Sequence, residues 1–249
     1  MKNNKKNFVI EDNINKKYFK KNLFLRNKVK LNKIIENIFS NIDNKKNTFH
    51  IFSKKFILNL NKLKLRKFEK YKIVVVIGMG GSVLGAHSIY SFLERRINRN
   101  FIFIDNLDQQ EIAKVKKEVS KKKSLFIIIS KSGNTIETLI NSNLLKDKIN
   151  SENTIIITEK KNNLLNKFAK KNKIVHIEHR DYIGGRYSVL SEVGMIPAYF
   201  MGLNVNSFRK SLLSFFKSKQ KLLLFENIIK LSHIYNLKKI KSIIFLNYV

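Results

Sequence analysis

Five short apolar runs constrain this chain more than any other feature of it. They are "KIVVVIG" (72–78), "NFIFID" (100–105), "SLFIIIS" (124–130), "NTIIIT" (153–158) and "KIVHIEH" (173–179). Each is rich in β-branched or aromatic residues and nearly continuous in its hydrophobicity, the pattern of a strand buried on both faces. Between successive runs lie stretches with helical spacing, such as "DQQEIAKVKKEVSKKK" and "KNNLLNKFAKKN". No two-residue hairpin signal joins any pair of runs. Strand and helix therefore alternate, which predicts an α/β fold: a five-stranded parallel sheet with helices on both faces, in a three-layer sandwich. Right-handed crossovers leave few topologies, and ligands in such sheets sit beyond the carboxyl ends of the strands, near a switch in strand order.

Around this centre the pattern changes. Residues 1–70 are rich in Lys and Asn, and "KVKLNKIIENIFSNI" places Val29, Ile34, Ile35 and Ile38 at roughly helical spacing. "FILNLNKLKLRKFEKY" (56–71) reads as a second helix, so residues 1–70 form an N-terminal helical region. Residues 71–203 carry the sheet. Residues 204–249 read as linking helices and a strand, "KSIIFLNYV" (241–249), and Pro197 starts or kinks a helix in the preceding stretch. A strand with no helix to cover it suggests the front part of something longer.

Composition bounds the function classes. The 249 residues include no cysteine, which excludes a disulfide framework and thiolate metal sites. The start, "MKNNKKNFVI", has too short an apolar run for a secretory signal. No stretch approaches the roughly 20 apolar residues of a spanning helix, so a soluble, cytoplasmic protein with no membrane partner is expected. The net charge of +32 invites a nucleic-acid reading. The lysines, however, are spread over the whole chain, whereas a dedicated binder concentrates charge in a stripe. No specific nucleic-acid partner is expected.

Two loops carry the chemistry. The first, Gly78-Met79-Gly80-Gly81-Ser82, follows the first strand and precedes a helix that Ser82 can cap. Glycines let backbone N–H groups approach a ligand, and a helix N-terminus adds unpaired donors and partial positive charge. A dinucleotide fingerprint would need glycine where Val83 stands, although Asp105 at the end of the second strand keeps a nicotinamide reading open. No Lys-Ser/Thr pair follows the glycines, so a Walker loop fails. The second loop, Ser130-Lys131-Ser132-Gly133-Asn134-Thr135, follows the third strand. Asn134 with Glu137 makes a capping-type pair for the next helix, as Asp108 with Glu111 does for the preceding one. Hydroxyls together with helix-terminal N–H groups suit a phosphate. Two such loops at one sheet edge favour a phosphate site over a pair of well-capped turns. The five histidines have no metal-ligand partners at suitable spacing, and none is assigned a role.

"GMGGSVLGA" (78–86), "SKSGNTIET" (130–138) and "GGRYSVLSEVGMIPA" (184–198) resemble, in order, three motifs of the glucose-6-phosphate isomerase family. The second also suits the wider group of sugar-isomerase (SIS), flavodoxin-like domains. The resemblance implies an SIS-type sugar-phosphate-binding domain at 71–203 and the start of a second, truncated SIS subdomain at 204–249. It implies that Gly81, Ser82 and Gly185 line the sugar site, and that Ser130, Lys131, Ser132 and Thr135 bind the phosphate. Arg186 would stabilise an enediolate intermediate in an aldose–ketose isomerisation of glycolysis and gluconeogenesis. No metal or organic cofactor is implied. The partner would be a small phosphosugar, and the full-length form a homodimer. The family's base is a glutamate in a stretch like Q-x-x-x-E-S-x-G-K, and these 249 residues contain none. Alone, the chain is expected to bind sugar phosphate weakly without turnover. The other reading is a non-catalytic SIS-type binding module.

Overall fold

A computed structural model describes residues 19, 21–215 and 220–238, with side chains at 22–210 and 224–238. The expected strand at 241–249 lies outside the described residues. The chain divides into two compact units, residues 41–213 and residues 1–40 with 214–249.

The first unit holds the sheet. Its strands are β1 (Ile73–Gly78), β2 (Asn100–Ile104), β3 (Ser124–Ile129), β4 (Thr154–Thr158) and β5 (Val175–Glu178), all parallel in the order β2-β1-β3-β4-β5. Every residue of β1, β3 and β4 is buried, as continuous apolar runs require when both faces are covered. Alternation splits the side chains between two cores. On one face Val74, Val76, Leu125, Ile127 and Ile129 pack with Ala86 of α3 (Leu84–Leu93) and Ile196 and Phe200 of α7 (Glu192–Phe200). On the other, Val75, Ile77, Phe126 and Ile128 pack with α4 (Gln109–Lys121) and α6 (Leu164–Lys171), and Leu145, just after α5 (Ile136–Leu144), joins them. Burying a side chain such as Phe126 contributes about 1.5–3 kcal/mol. The expected three-layer α/β sandwich is the one observed. The chain leaves β1 for β2 on one side and returns to β3 on the other, so the switch in strand order falls between β1 and β3.

The stretch 56–71 departs from the expected helix. Only Lys62–Arg66 is helical (α2), capped by Asn61, whose side chain accepts from the Lys64 N–H. Residues 56–60 belong to no helix or strand, with Phe56, Leu58 and Leu60 the more buried and Ile57 and Asn59 exposed. The period of "FILNL" is two rather than 3.6. Phe56 joins a third core with Ile51, Ile183, Leu190 and Met195. Leu65 and Phe68 belong to the sheet's first core, so residues 41–70 are built into the sheet unit. Pro197 lies inside α7, which Ser191 caps by accepting from the Val193 N–H. α8 (Val205–Phe215) follows, and Asn204 accepts from Ser207.

In the second unit, α1 (Lys21–Ser40) pairs with α9 (Gln220–Asn236). Asn27 Nδ2 lies 2.9 Å from His233 Nδ1, and the Phe24 ring meets the His233 ring edge-on at 5.6 Å. Among the described residues no helix is long and apolar enough to cross a membrane.

Candidate functional site

Three loops meet at the carboxyl edge of the sheet, at the switch between β1 and β3. Gly78, the last residue of β1, pairs with Ile129, the last of β3, so the first and second loops leave the sheet side by side. A side chain at Gly78 could not fit, since a Cβ there would stand 2.9 Å from Ile129 O. The third loop, Gly184 to Ser188, sits against the first. Ser188 Oγ lies 2.7 Å from Gly185 O and 3.2 Å from Gly81 O, and a Cβ on Gly81 would lie 2.3 Å from Gly185 O. Gly85 likewise leaves room for Val189. Gly81 and Gly85 thus let the first motif pack closely against the third.

The first loop turns through a single 3-10 turn, Gly80–Ser82, with Gly80 at φ +52°. Ser82 does not cap the helix. α3 starts at Leu84 after Val83, and no side-chain cap bond is made. Ser82 stands one residue before the N-cap, Val83, and its half-exposed hydroxyl has no protein partner among the described residues.

The second loop closes on itself through hydroxyls. Ser130 Oγ lies 2.8 Å from Thr135 Oγ1, and Ser132 Oγ lies 3.4 Å from it. Ser130 Oγ accepts from the Gly133 N–H and Ser132 Oγ from the Asn134 N–H. With those acceptor roles filled, the hydroxyl protons of Ser130 and Ser132 are free to donate. Ser130 is buried and can donate to Thr135, which passes the donor role outward; Ser132 is exposed and Thr135 half-exposed. Ser130 is therefore the inner hydroxyl of the three, while Thr135 and Ser132 are the outer ones.

Asn134 does not cap α5 as its spacing with Glu137 suggests. The N-cap is Thr135, which makes no side-chain cap bond. Asn134 Oδ1 instead accepts from the Leu164 N–H, and Gly133 O accepts from the Leu165 N–H. Gly133, at φ +69°, also packs on Asn163, the N-cap of α6. The loop spends its acceptors on the neighbouring helix, so among the described residues no cap side chain bonds the N-terminus of α5, which stands beside three hydroxyls, an arrangement suited to an anion.

Lys131 points elsewhere. Its Nζ donates to Asp181 O at 2.7 Å and lies 3.7 Å from Glu159 Oε1. Arg186 lies in a 3-10 turn (Gly185–Tyr187), exposed, with no hydrogen bond or ion pair among the described residues. Gly81, Ser82, Gly185 and Arg186 are thus gathered at one end of the site. Ser130, Ser132 and Thr135 form the other.

Sequence reasoning missed the polar groups beneath the loops. Glu159 is buried and pairs with Lys161 at 2.8 Å. His179 is 1% exposed, its Nδ1 lies 3.1 Å from Arg180 O, and its Nε2 has no partner among the described residues. Burial holds its pKa below the ordinary histidine value, and the charge of Lys131 adds to the effect. Glu192 is fully buried. Its Oε1 accepts from the Asn59 N–H at 2.8 Å and lies 3.4 Å from Arg180 Nη2. Acidic residues number only 18 against 50 Lys and Arg. A Glu or Asp just past the end of β4 or β5 was the available signal.

The family model described as Phosphoglucose isomerase matches residues 5–214. A protein of Methanocaldococcus jannaschii named glucose-6-phosphate isomerase is 35% identical over 180 residues, covering 71% of this chain and 45% of that protein. One of Borreliella afzelii with the same name is 34% identical over 174 residues, covering 62% of this chain and 33% of that protein. This chain thus spans less than half the length of either relative. Among solved structures, a hypothetical protein from Thermus thermophilus superposes with TM-score 0.65 at 20% identity, covering 87% of this chain and 54% of that one. A glucose-6-phosphate isomerase from Chlamydia trachomatis gives TM-score 0.52 at 23% identity, covering 66% of this chain and 36% of that one. At these identities the two structures speak for the fold.

Proposed function

Because the chain belongs to the phosphoglucose isomerase family, we propose that it supplies the phosphosugar-binding half of an aldose–ketose isomerase acting on glucose 6-phosphate and fructose 6-phosphate. The observation that carries this reading is the second loop: three hydroxyls gathered at the uncapped N-terminus of α5, beside the switch point of the sheet.

The phosphate sits at this corner. Thr135 and Ser132 donate hydroxyl protons, the N-terminus of α5 donates N–H groups, and Ser130 holds Thr135 in its donating orientation. The sugar extends toward the first loop, where the Ser82 hydroxyl and the backbone of Gly81 and Gly185 meet it. Arg186 lies beyond, its guanidinium unengaged among the described residues. The reaction moves a proton from C2 to C1 through a cis-enediol, and negative charge grows on the oxygens of that intermediate. A cation already in place stabilises it more than the neutral sugar, so Arg186 acts on the transition state and not on ground-state binding. Removing the C2 proton takes a carboxylate base, a step typically worth about 10²–10⁴-fold. No stretch of the family's glutamate type occurs in these 249 residues, so the chain alone binds and does not turn over. The homodimer and the cytoplasmic setting belong to the same proposal.

Titration of the chain with inorganic phosphate and glucose 6-phosphate, followed by NMR, tests the reading. Both should shift the amides of 130–136, and Arg186→Ala should change the two affinities by less than about threefold. No shift at 130–136 overturns the phosphate site. Full isomerase activity of the isolated chain in a coupled assay overturns the missing base.

A further inference from the structure

We propose that Lys131 is a strut that couples the phosphate corner to the loop bearing Arg186, and that its ammonium does not touch the phosphate. The inference rests on the phosphate site proposed above and assigns the cationic member of that motif, whose side chain turns away from it.

The Lys131 ammonium is already committed. It donates to the backbone carbonyl of Asp181 at 2.7 Å, with Glu159 Oε1 at 3.7 Å on another side. Moving it to the loop mouth would strip the Asp181 carbonyl of this donor and leave the buried Glu159 carboxylate to Lys161 alone. The backbone of Lys131 is pinned too. Its carbonyl accepts from the Glu159 N–H at 3.1 Å and from Thr158 Oγ1 at 3.3 Å. A lysine anchored at both ends transmits position.

The far end of the strut leads to Arg186. Asp181 lies in a turn closed by the Ile183 N–H donating to Arg180 O. Thr48 Oγ1 also holds this turn, through Tyr182 O at 2.7 Å. Ile183 is fully buried, and the next three residues are Gly184, Gly185 and Arg186, the last two in the 3-10 turn seated on Gly81. An anion that orders residues 130–135 thereby orders Arg186 through Lys131 and Asp181, without contact between Arg186 and the phosphate. Substrate phosphate, remote from the reacting carbons, then helps place the group that acts on them.

The test uses the whole chain, inorganic phosphate as probe, and the variants Lys131→Met and Lys131→Arg. Phosphate affinity and amide hydrogen exchange at 184–188 are measured together. In the parent, phosphate should slow exchange at 184–188. Lys131→Met should bind phosphate within about threefold of the parent yet lose that slowing, and Lys131→Arg, which can still donate to Asp181 O, should restore it. A fall of about tenfold or more in phosphate affinity for Lys131→Met would place the ammonium on the anion and overturn the proposal. So would slowing that persists in Lys131→Met. If the parent binds no phosphate, the phosphate-site reading fails by itself. The strut is then read without ligand: faster exchange at 181–185 in Lys131→Met sustains it, and unchanged exchange there sinks it.

Discussion

Gly81→Ala tests the interlock of the first and third motifs directly. A Cβ at Gly81 would lie 2.3 Å from Gly185 O, 2.5 Å from Gly185 C and 2.9 Å from Arg186 N. All three are backbone atoms, so no side chain can swing away to make room. Relief to the ordinary contact limit of 3.4 Å means parting the two loops, a displacement of about 1 Å, the scale at which a misplaced group loses about 10²-fold in rate. Overpacking of this kind also costs about 1–3 kcal/mol of stability. Two neighbours serve as controls. A Cβ at Gly185 meets nothing within 4 Å, and one at Gly80 meets nothing either, but Gly80 has φ +52°. Gly185→Ala should be near neutral and Gly80→Ala should cost about 1–2 kcal/mol through backbone strain alone. Urea denaturation gives the stabilities, and amide shifts at 184–188 report the loop. Gly81→Ala should move those shifts and be the least stable of the three. A Gly81→Ala protein with parental stability and unmoved shifts at 184–188 would refute the close approach on which the site is built.

Two further outcomes follow from the loop and the buried histidine. Ser130→Ala removes the partner of Thr135 Oγ1 and the acceptor for the Gly133 N–H; it should weaken phosphate binding by about tenfold, roughly one hydrogen bond, in a calorimetric titration. His179 has a pKa depressed by burial, so the unfolded chain binds more protons than the folded one below the ordinary value of about 6.5. Its contribution is fully present above that value and is lost as pH falls through it toward the folded pKa. Urea stabilities between about pH 5 and 7 should rise with pH, and His179→Gln should flatten the slope.

The sheet was legible because a strand covered on both faces leaves a continuous apolar run, and β1, β3 and β4 are such strands. Asp108 was legible as a cap because its partners, the N–H groups of Gln110 and Glu111, are local. Asn134 was not, because its acceptor serves Leu164, thirty residues downstream. "FILNLNKLKL" misled because alternation in its first half runs into leucine and lysine that read as helix. The motif loops could be placed at one edge from sequence, but the direction of Lys131 could not. That depends on where β5 delivers the carbonyl of Asp181. Glu192 reads as an ordinary first-turn acid, and only the meeting of Asn59 and Arg180 around it accounts for its burial.

In the proposed phosphate site, neutral hydroxyls within a chain of 50 cationic and 18 anionic side chains divide the labour of capture in time. The scattered lysines gather anions of every kind from a distance and hasten encounter, an influence that dissolved electrolyte damps. Dwell time, by contrast, belongs to short-range donors whose grip electrolyte scarcely touches. A lysine-laden exterior therefore sets how often a guest arrives, and the proposed phosphate site leaves to Ser132 and Thr135 the choice of which guests stay.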